Sequence, residues 1–303
     1  MANYYNGHTV LYLNGAFVKA AEAKMDYYSQ SFHYGYSVFE GIRSYRALTG
    51  ETRIFKAEEH FERLKVSAES LNMPYHWSAA ELIEATYELL LQNKLQDAYI
   101  RPVVYAPANM SFNRNTESFI VIEVWEMAPF LGDKLLRVMS SSFQRPNPKG
   151  FKIHAKAAGH YVNSILASQE AKANGFDEAL LGDMNGNVAE GPGANVFYEK
   201  DGRLYTTALG NILPGITRAT VLELCAELNI PVEEKLFTKE AMYGADAAFF
   251  CGTAAEVIGM ESLDDKPFAL PWEKTVSRTI QLAYKDLVVE RKNVAVNEIT
   301  GVE

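Results

Sequence analysis

The stretch Phe151-Lys152-Ile153-His154-Ala155-Lys156-Ala157-Ala158-Gly159-His160-Tyr161 decides how this chain is read. Two alanines and a glycine directly follow Lys156, leaving room for something flat and bulky that a solvated lysine would not need. Thirty-four positions later comes Ala189-Glu190-Gly191-Pro192-Gly193-Ala194-Asn195-Val196-Phe197, a carboxylate followed by two glycines and a strand-like run. The pair points to a Schiff-base site. A lysine amine condenses with an aldehyde only when unprotonated, so its pKa must fall from ~10.4 toward ~7 to 8. Pyridoxal 5′-phosphate is the usual aldehyde. Its ring nitrogen acts as an electron sink only while protonated, and a buried carboxylate, here Glu190, keeps it so. Tyr161 adds a phenol that a helix starting near Lys156 would bring within reach of the ring. Taken singly, each residue has an ordinary reading: Lys156 as a solvated side chain, Glu190 as the opening of a turn, Tyr161 as helical core. Their joint occurrence carries the argument.

Composition narrows the class. The 303 residues allow two domains, each with its own core, and a hydrophobic content of 48% is sufficient for both. A net charge of -9, with no basic run, argues against a nucleic-acid surface. The N-terminus lacks the basic-then-apolar order of a signal peptide, and no apolar stretch reaches bilayer length, so a cytoplasmic protein with no membrane partner is expected. Cys225 and Cys251 fall in a helical and a strand-like segment and read as reduced core residues; no metal-ligand spacing is present.

Along the chain, Val10 to Val18 reads as a hairpin about Asn14-Gly15. Ser37 to Tyr45 reads as one strand, with Val38 and Glu40 facing opposite to Phe39 and Gly41. Arg53 to Lys56 reads as a short strand, Ala57 to Leu71 as an amphipathic helix, and Ser78-Ala79-Ala80-Glu81 as a capping box opening a second helix. Ala98 to Tyr105 is a strand in which Tyr99 and Arg101 share a face, an arrangement suited either to a carboxylate ligand or to a structural acid. The pattern breaks at Glu126 to Lys134, which sets a first α/β domain over 1–127, an interdomain loop over 128–136, and a second α/β domain over 137–303 carrying Lys156. In the second, helices are expected over Gly159 to Asn174, Ala219 to Leu228 and Trp272 to Glu290, and a buried strand over Asp246 to Cys251. Leu213-Pro214-Gly215-Ile216-Thr217-Arg218 precedes a helix start that suits either a phosphate or routine capping.

Lys156 to Tyr161, Glu190 to Asn195, Leu213 to Arg218, Gly252-Thr253-Ala254-Ala255-Glu256, His33-Tyr34-Gly35, Val38-Phe39-Glu40-Gly41-Ile42-Arg43 and Tyr99-Ile100-Arg101-Pro102 together resemble the class IV (fold type IV) pyridoxal-phosphate aminotransferases, in the same order. The branched-chain amino-acid aminotransferases are the most similar group. The resemblance runs from about residue 10 to about residue 290. It implies two α/β domains with the cofactor at their interface, and amino-group transfer between branched-chain L-amino acids and 2-oxoglutarate by a ping-pong cycle. It implies cofactor contacts from Lys156, Tyr161, Glu190, Leu213, Ile216, Thr217 and Thr253, and substrate contacts from Tyr34, Phe39, Tyr99, Arg101, Thr253 and Ala254. In the family the tyrosine of Tyr-x-Arg helps bind the α-carboxylate and the arginine reads the side carboxylate of glutamate; a second subunit helps build each site, so a homodimer or larger assembly is implied. Two positions depart from the pattern. Lys56 stands where an arginine is expected to grip the phosphate, and Phe130 stands where a tyrosine assists glutamate. A D-amino-acid aminotransferase or an aminodeoxychorismate lyase would use the same scaffold, and a non-catalytic binder of a phosphate ligand would use Lys156 only as a charge.

Overall fold

The computed structural model describes residues 4–127 and 134–290; Phe130 lies outside them. The chain divides into two units, each a mixed α/β structure. One holds the described residues up to 127 together with His154–Val162, and the other holds the residues from 134 to Ile153 and from Asn163 onward.

The first unit contains β1 (Val10–Leu13), β2 (Ala16–Lys19), α1 (Gln30–Tyr34), β3 (Ser37–Phe39), β4 (Ile42–Arg46), β5 (Thr52–Ile54), α2 (Ala57–Ser70), α3 (Ala79–Gln92), β6 (Ala98–Tyr105) and β7 (Phe119–Glu126). Its strands form one antiparallel sheet in the order β2-β1-β7-β6-β4-β5, with β3 also paired to β6. The expected hairpin turn is present, with Asn14 and Gly15 both at positive φ. The capping box is also formed: Ser78 Oγ accepts from Glu81 N, and the Glu81 carboxylate accepts from Ser78 N. Alternation along the strands then divides the sheet. Val38, Ile42, Ala98, Ile100, Val104, Ile120, Ile122 and Val124 join Phe61, Leu64, Leu82 and Leu89 of the two long helices in one core. The opposite face is left with Phe39, Tyr99, Arg101, Glu123 and Trp125.

Two expectations need correction. The run from Ser37 to Tyr45 is two strands rather than one, broken at Glu40-Gly41. A Cβ at Gly41 would lie 2.0 Å from the Tyr99 hydroxyl, so only glycine lets Tyr99 lie over the backbone there. Lys56 is not in a strand. It stands at the N-cap of α2 with φ 52°, and its ammonium lies 3.3 Å from Glu59.

The second unit contains β8 (Leu136–Gln144), α4 (Tyr161–Ala173, whose first residues belong to the first unit), β9 (Glu178–Gly182), β10 (Val188–Glu190), β11 (Asn195–Lys200), β12 (Arg203–Thr207), α5 (Ile216–Glu227), β13 (Val232–Lys235), α6 (Lys239–Tyr243), β14 (Ala247–Gly252), β15 (Glu256–Leu263), β16 (Lys266–Pro267) and α7 (Val276–Val288). The strand order is β10-β9-β8-β15-β14-β11-β12-β13, with β16 beside β15; β8 runs parallel to both β9 and β15, and β12 runs parallel to β13. Helix α4 begins later than expected, after a short 3-10 turn at Ala158–His160, whereas α5 begins earlier, at Ile216. Both cysteines are buried and unbridged. Phe197 and Phe249, paired across β11 and β14, stack at 5.0 Å and 2°. Among the described residues no helix is long and apolar enough to cross a membrane.

One buried acid ties this sheet to its last helix. Glu199 on β11 accepts from Val276 N at 3.2 Å, and from Ser277 N and Oγ at 2.8 and 2.7 Å, so it serves otherwise unpaired amides at the start of α7. Replacing it leaves buried donors without a partner. Glu199→Ala is expected to cost ~2–3 kcal/mol, read as a lower urea midpoint with an unchanged m-value.

Candidate active site

In the first unit the segment around Lys156 is held by the backbone. Phe39 N donates to Lys156 O at 3.1 Å, Lys156 N donates to Ser67 Oγ at 3.0 Å, and Gly159 N donates to Gly35 O at 3.1 Å. Val38 and Ala157 form an antiparallel bridge. Gly159 is small for a reason that the sequence did not disclose: a Cβ there would lie 3.3 Å from Gly35 O, and one on Gly35 would lie 2.9 Å from Gly159 Cα. This clearance admits the neighbouring backbone.

Lys156 Nζ donates to the Tyr161 hydroxyl at 2.9 Å. It lies 5.2 Å from the centre of the Phe39 ring, which meets the Tyr161 ring edge-on at 4.8 Å. Arg101 joins the same ring, with its guanidinium carbon 4.5 Å from the Phe39 centroid and Nη2 donating to the Tyr99 hydroxyl at 2.9 Å. The structure thus brings Lys156, Tyr161, Phe39, Tyr99 and Arg101 together. Tyr34 lies apart from this contact set, on α1, with its half-exposed ring 5.5 Å from Phe112.

Behind this group lies a charged cluster that sequence reasoning missed. Glu40 is fully buried, and Arg63 grips it with two prongs, Nε to Oε1 at 2.7 Å and Nη2 to Oε2 at 2.8 Å. His60 Nδ1 lies 2.7 Å from Oε2; a carboxylate only accepts, so Nδ1 carries the proton. Burial pushes the Glu40 carboxyl up, but Arg63 and His60 outweigh it and hold the group well below the usual carboxylate range. Burial drives His60 down against the pull of Glu40, with Arg63 and Lys156 adding to the depression, so the imidazole is neutral near pH 7. Arg63 is held up by Glu40 against its own burial, and it also feels the Tyr161 and Tyr99 phenols. The signal available in the sequence was an acid inside an apolar strand, together with a His-x-x-Arg spacing on one helix face.

In the second unit Glu190 is buried at the end of β10. Its Oε2 accepts from Asn195 Nδ2 at 2.8 Å and its Oε1 from Leu213 N at 3.2 Å. Arg145 Nε approaches Oε1 to 2.8 Å with its N–H pointing off the oxygen, an ion pair rather than a hydrogen bond. Asn195 Nδ2 also donates to Leu213 O at 3.0 Å, so the acid and the loop before α5 are held by one amide. That loop ends at Gly215, where a Cβ would fall 2.0 Å from Asn195 Oδ1, and no side chain caps the helix there. Ile216 and Thr217 form its first turn, with Thr217 buried. Thr253 and Ala254 lie in the tight turn from β14 to β15, where Gly252 passes close to Gly193 O.

These features fit pyridoxal phosphate. Among the described residues Lys156 pairs with no carboxylate, and its amine lies against the Tyr161 hydroxyl. The start of α5 offers amides and a hydroxyl at a helix N-terminus. Among the described residues no group of three or more metal-ligating side chains gathers.

A lysine amine lying against a phenol and an aromatic ring is compatible with an enzyme that works on amines through a carbonyl group. Residues 37–263 match the family described as Amino-transferase class IV, and the chain belongs to that family. It is 39% identical over 285 residues to the branched-chain-amino-acid aminotransferase of Pseudomonas aeruginosa, covering 92% of each chain. The branched-chain aminotransferase of Thermoproteus uzoniensis, solved with norvaline, superposes with a TM-score of 0.90 at 35% identity, over 94% of this chain and 96% of the other. The branched-chain amino acid aminotransferase of Thermobaculum terrenum, solved in its PLP form, gives a TM-score of 0.87 at 33% identity over 94% and 95%.

Glu40 provides a test of the buried cluster. A carboxylate whose folded pKa is depressed contributes its full stability above its unfolded value of ~4.3, and the contribution fades as pH falls below that toward the folded value. Glu40→Gln is expected to cost ~3–5 kcal/mol at pH 7 by stranding Arg63. The gap from wild type should narrow in urea melts run from pH 5 down to pH 3.

Proposed function

We propose that the chain is a pyridoxal-phosphate transaminase that moves the amino group between branched-chain L-amino acids and 2-oxoglutarate. The observation that carries this reading is the Lys156 amine, 2.9 Å from the Tyr161 hydroxyl on the sheet face that also presents Phe39, Tyr99 and Arg101. Family membership and the names of the relatives support it. When bound, the cofactor supplies a carbonyl carbon that takes up the amino group and a ring that spreads the charge left at the substrate α-carbon.

The protein's residues do the rest. Lys156 Nζ takes and returns the proton at the substrate α-carbon, and the Tyr161 hydroxyl keeps the amine oriented. Glu190, fixed by Asn195 and Arg145, holds a proton on the ring nitrogen. Thr217, Thr253 and the Ile216 amide take the phosphate, with Leu213 lining that loop and Lys56 a further cation. Phe39 and Ala254 give the substrate an apolar surface, Tyr99 helps bind the α-carboxylate, and Arg101 takes the second carboxylate of glutamate or 2-oxoglutarate. The enzyme acts in the cytoplasm.

The working form is a homodimer. Exposed rings touch in pairs in the first unit, Tyr27 with Phe32 at 5.4 Å and Tyr34 with Phe112 at 5.5 Å, with Phe112 91% exposed. A second copy would bury them. Sedimentation equilibrium should return twice the 33.9 kDa chain mass for the wild type and a smaller average mass for Phe112→Asp.

Purified protein with pyridoxal phosphate should convert L-leucine and 2-oxoglutarate to 4-methyl-2-oxopentanoate and L-glutamate, and Lys156→Ala should lower kcat by ~10³-fold or more. Turnover of D-alanine in place of L-leucine would overturn the substrate assignment.

A further inference from the structure

Glu123 stands directly opposite Arg101 in the β6/β7 ladder, so both side chains leave the same face of the sheet. The next rung shows the same: Tyr99 and Trp125 are partners, and their rings lie 5.0 Å apart. Arg101 gives Nη2 to the Tyr99 hydroxyl, while its buried Nε has no hydrogen-bond partner among the described residues. Burial pushes the Glu123 carboxyl up and the Arg101 charge draws it back down, so the two groups sense each other. Glu123 has no part in the site as assigned above.

A pocket that must accept both an isobutyl group and a carboxylate poses an electrostatic problem. Facing the isobutyl group, the arginine is an uncompensated, partly desolvated cation; facing the dicarboxylate, it is the anchor. We propose that Glu123 is a specificity-determining counter-charge, which offsets Arg101 when an apolar side chain fills the pocket and weakens its hold on a second substrate carboxylate. This rests on the reading that Arg101 takes that carboxylate. Glu123 thereby sets the balance between the two substrate classes.

The test is calorimetric binding of two unreactive acids, glutarate and 4-methylpentanoate, to the holoenzyme of wild type, Glu123→Gln and Glu123→Ala. Removing the charge should tighten glutarate by ~3–10-fold at low salt and leave 4-methylpentanoate within twofold or weaker. The KM for 2-oxoglutarate should fall relative to that for 4-methyl-2-oxopentanoate. Equal shifts for both acids, no shift, or weaker glutarate binding would overturn the proposal. Glu126→Gln, exposed on the same strand but from its other face, serves as the charge control; if it reproduces the glutarate gain, the effect is bulk charge and the proposal fails. Arg101→Ala separates the two readings. If it leaves glutarate binding intact, the assignment of Arg101 fails; if it weakens glutarate while the Glu123 variants gain nothing, only the counter-charge fails.

Discussion

The first unit depends on the register of one antiparallel ladder, which pairs eight residues from Ala98 with Glu126 to Tyr105 with Phe119. Because side chains alternate with a period of two, this single alignment sends Ile100, Val104, Ile120 and Ile122 into the core and turns Tyr99, Arg101, Glu123 and Trp125 the other way. A slip of one residue would bury the arginine among helices and expose the isoleucines. The apolar packing that stabilises the unit therefore also fixes which polar groups the opposite face carries.

The break at Glu40-Gly41 shows how closely the two are joined. Val38 and Ile42 pack into the core on the helix side, and Glu40, between them in the chain, is fully buried and sends its carboxylate to His60 and Arg63 of α2. On the other side, Phe39 meets Tyr161 and Arg101, and bare Gly41 leaves room for the Tyr99 hydroxyl. An ionised acid in such a position is costly unless it is paired, and the bidentate arginine with a neutral imidazole supplies that pairing. At the break Glu40 N still donates to Pro102 O of β6, and the neighbouring Phe39 N donates to Lys156 O.

Local signals were legible and long-range ones were not. Asn14-Gly15, the Ser78 capping box and the shared face of Tyr99 and Arg101 follow from a few adjacent residues, and they stand in the structure as read. The short edge strands β13 and β16 escaped because such strands take their identity from partners, not from their own pattern; the interior strand β15 was not read either. Arg63 alone carried no signal in the sequence because its pairing is with Glu40, a partner twenty-three residues away in the chain. Glu123 carries no signal of its own in the sequence. Its opposition to Arg101 exists only once the register is known. The motifs around Lys156 and Glu190 stand out in the sequence because they are dense, yet the reason for Gly159 was not legible, since Gly35 lies far away in sequence.

The membership of His154–Val162 in the first unit has a consequence for the order in which the molecule is made. A ribosome releases the strands β1 to β7 early, and they can pair at once, but the segment carrying Lys156 emerges only after the chain has left that unit and begun β8. Seating Lys156 against Phe39 closes a loop of more than a hundred residues, a step with high entropic cost and little local help. The nascent chain thus completes the sheet of its first unit before the segment that finishes that unit, and Lys156 is seated only by a late tertiary closure.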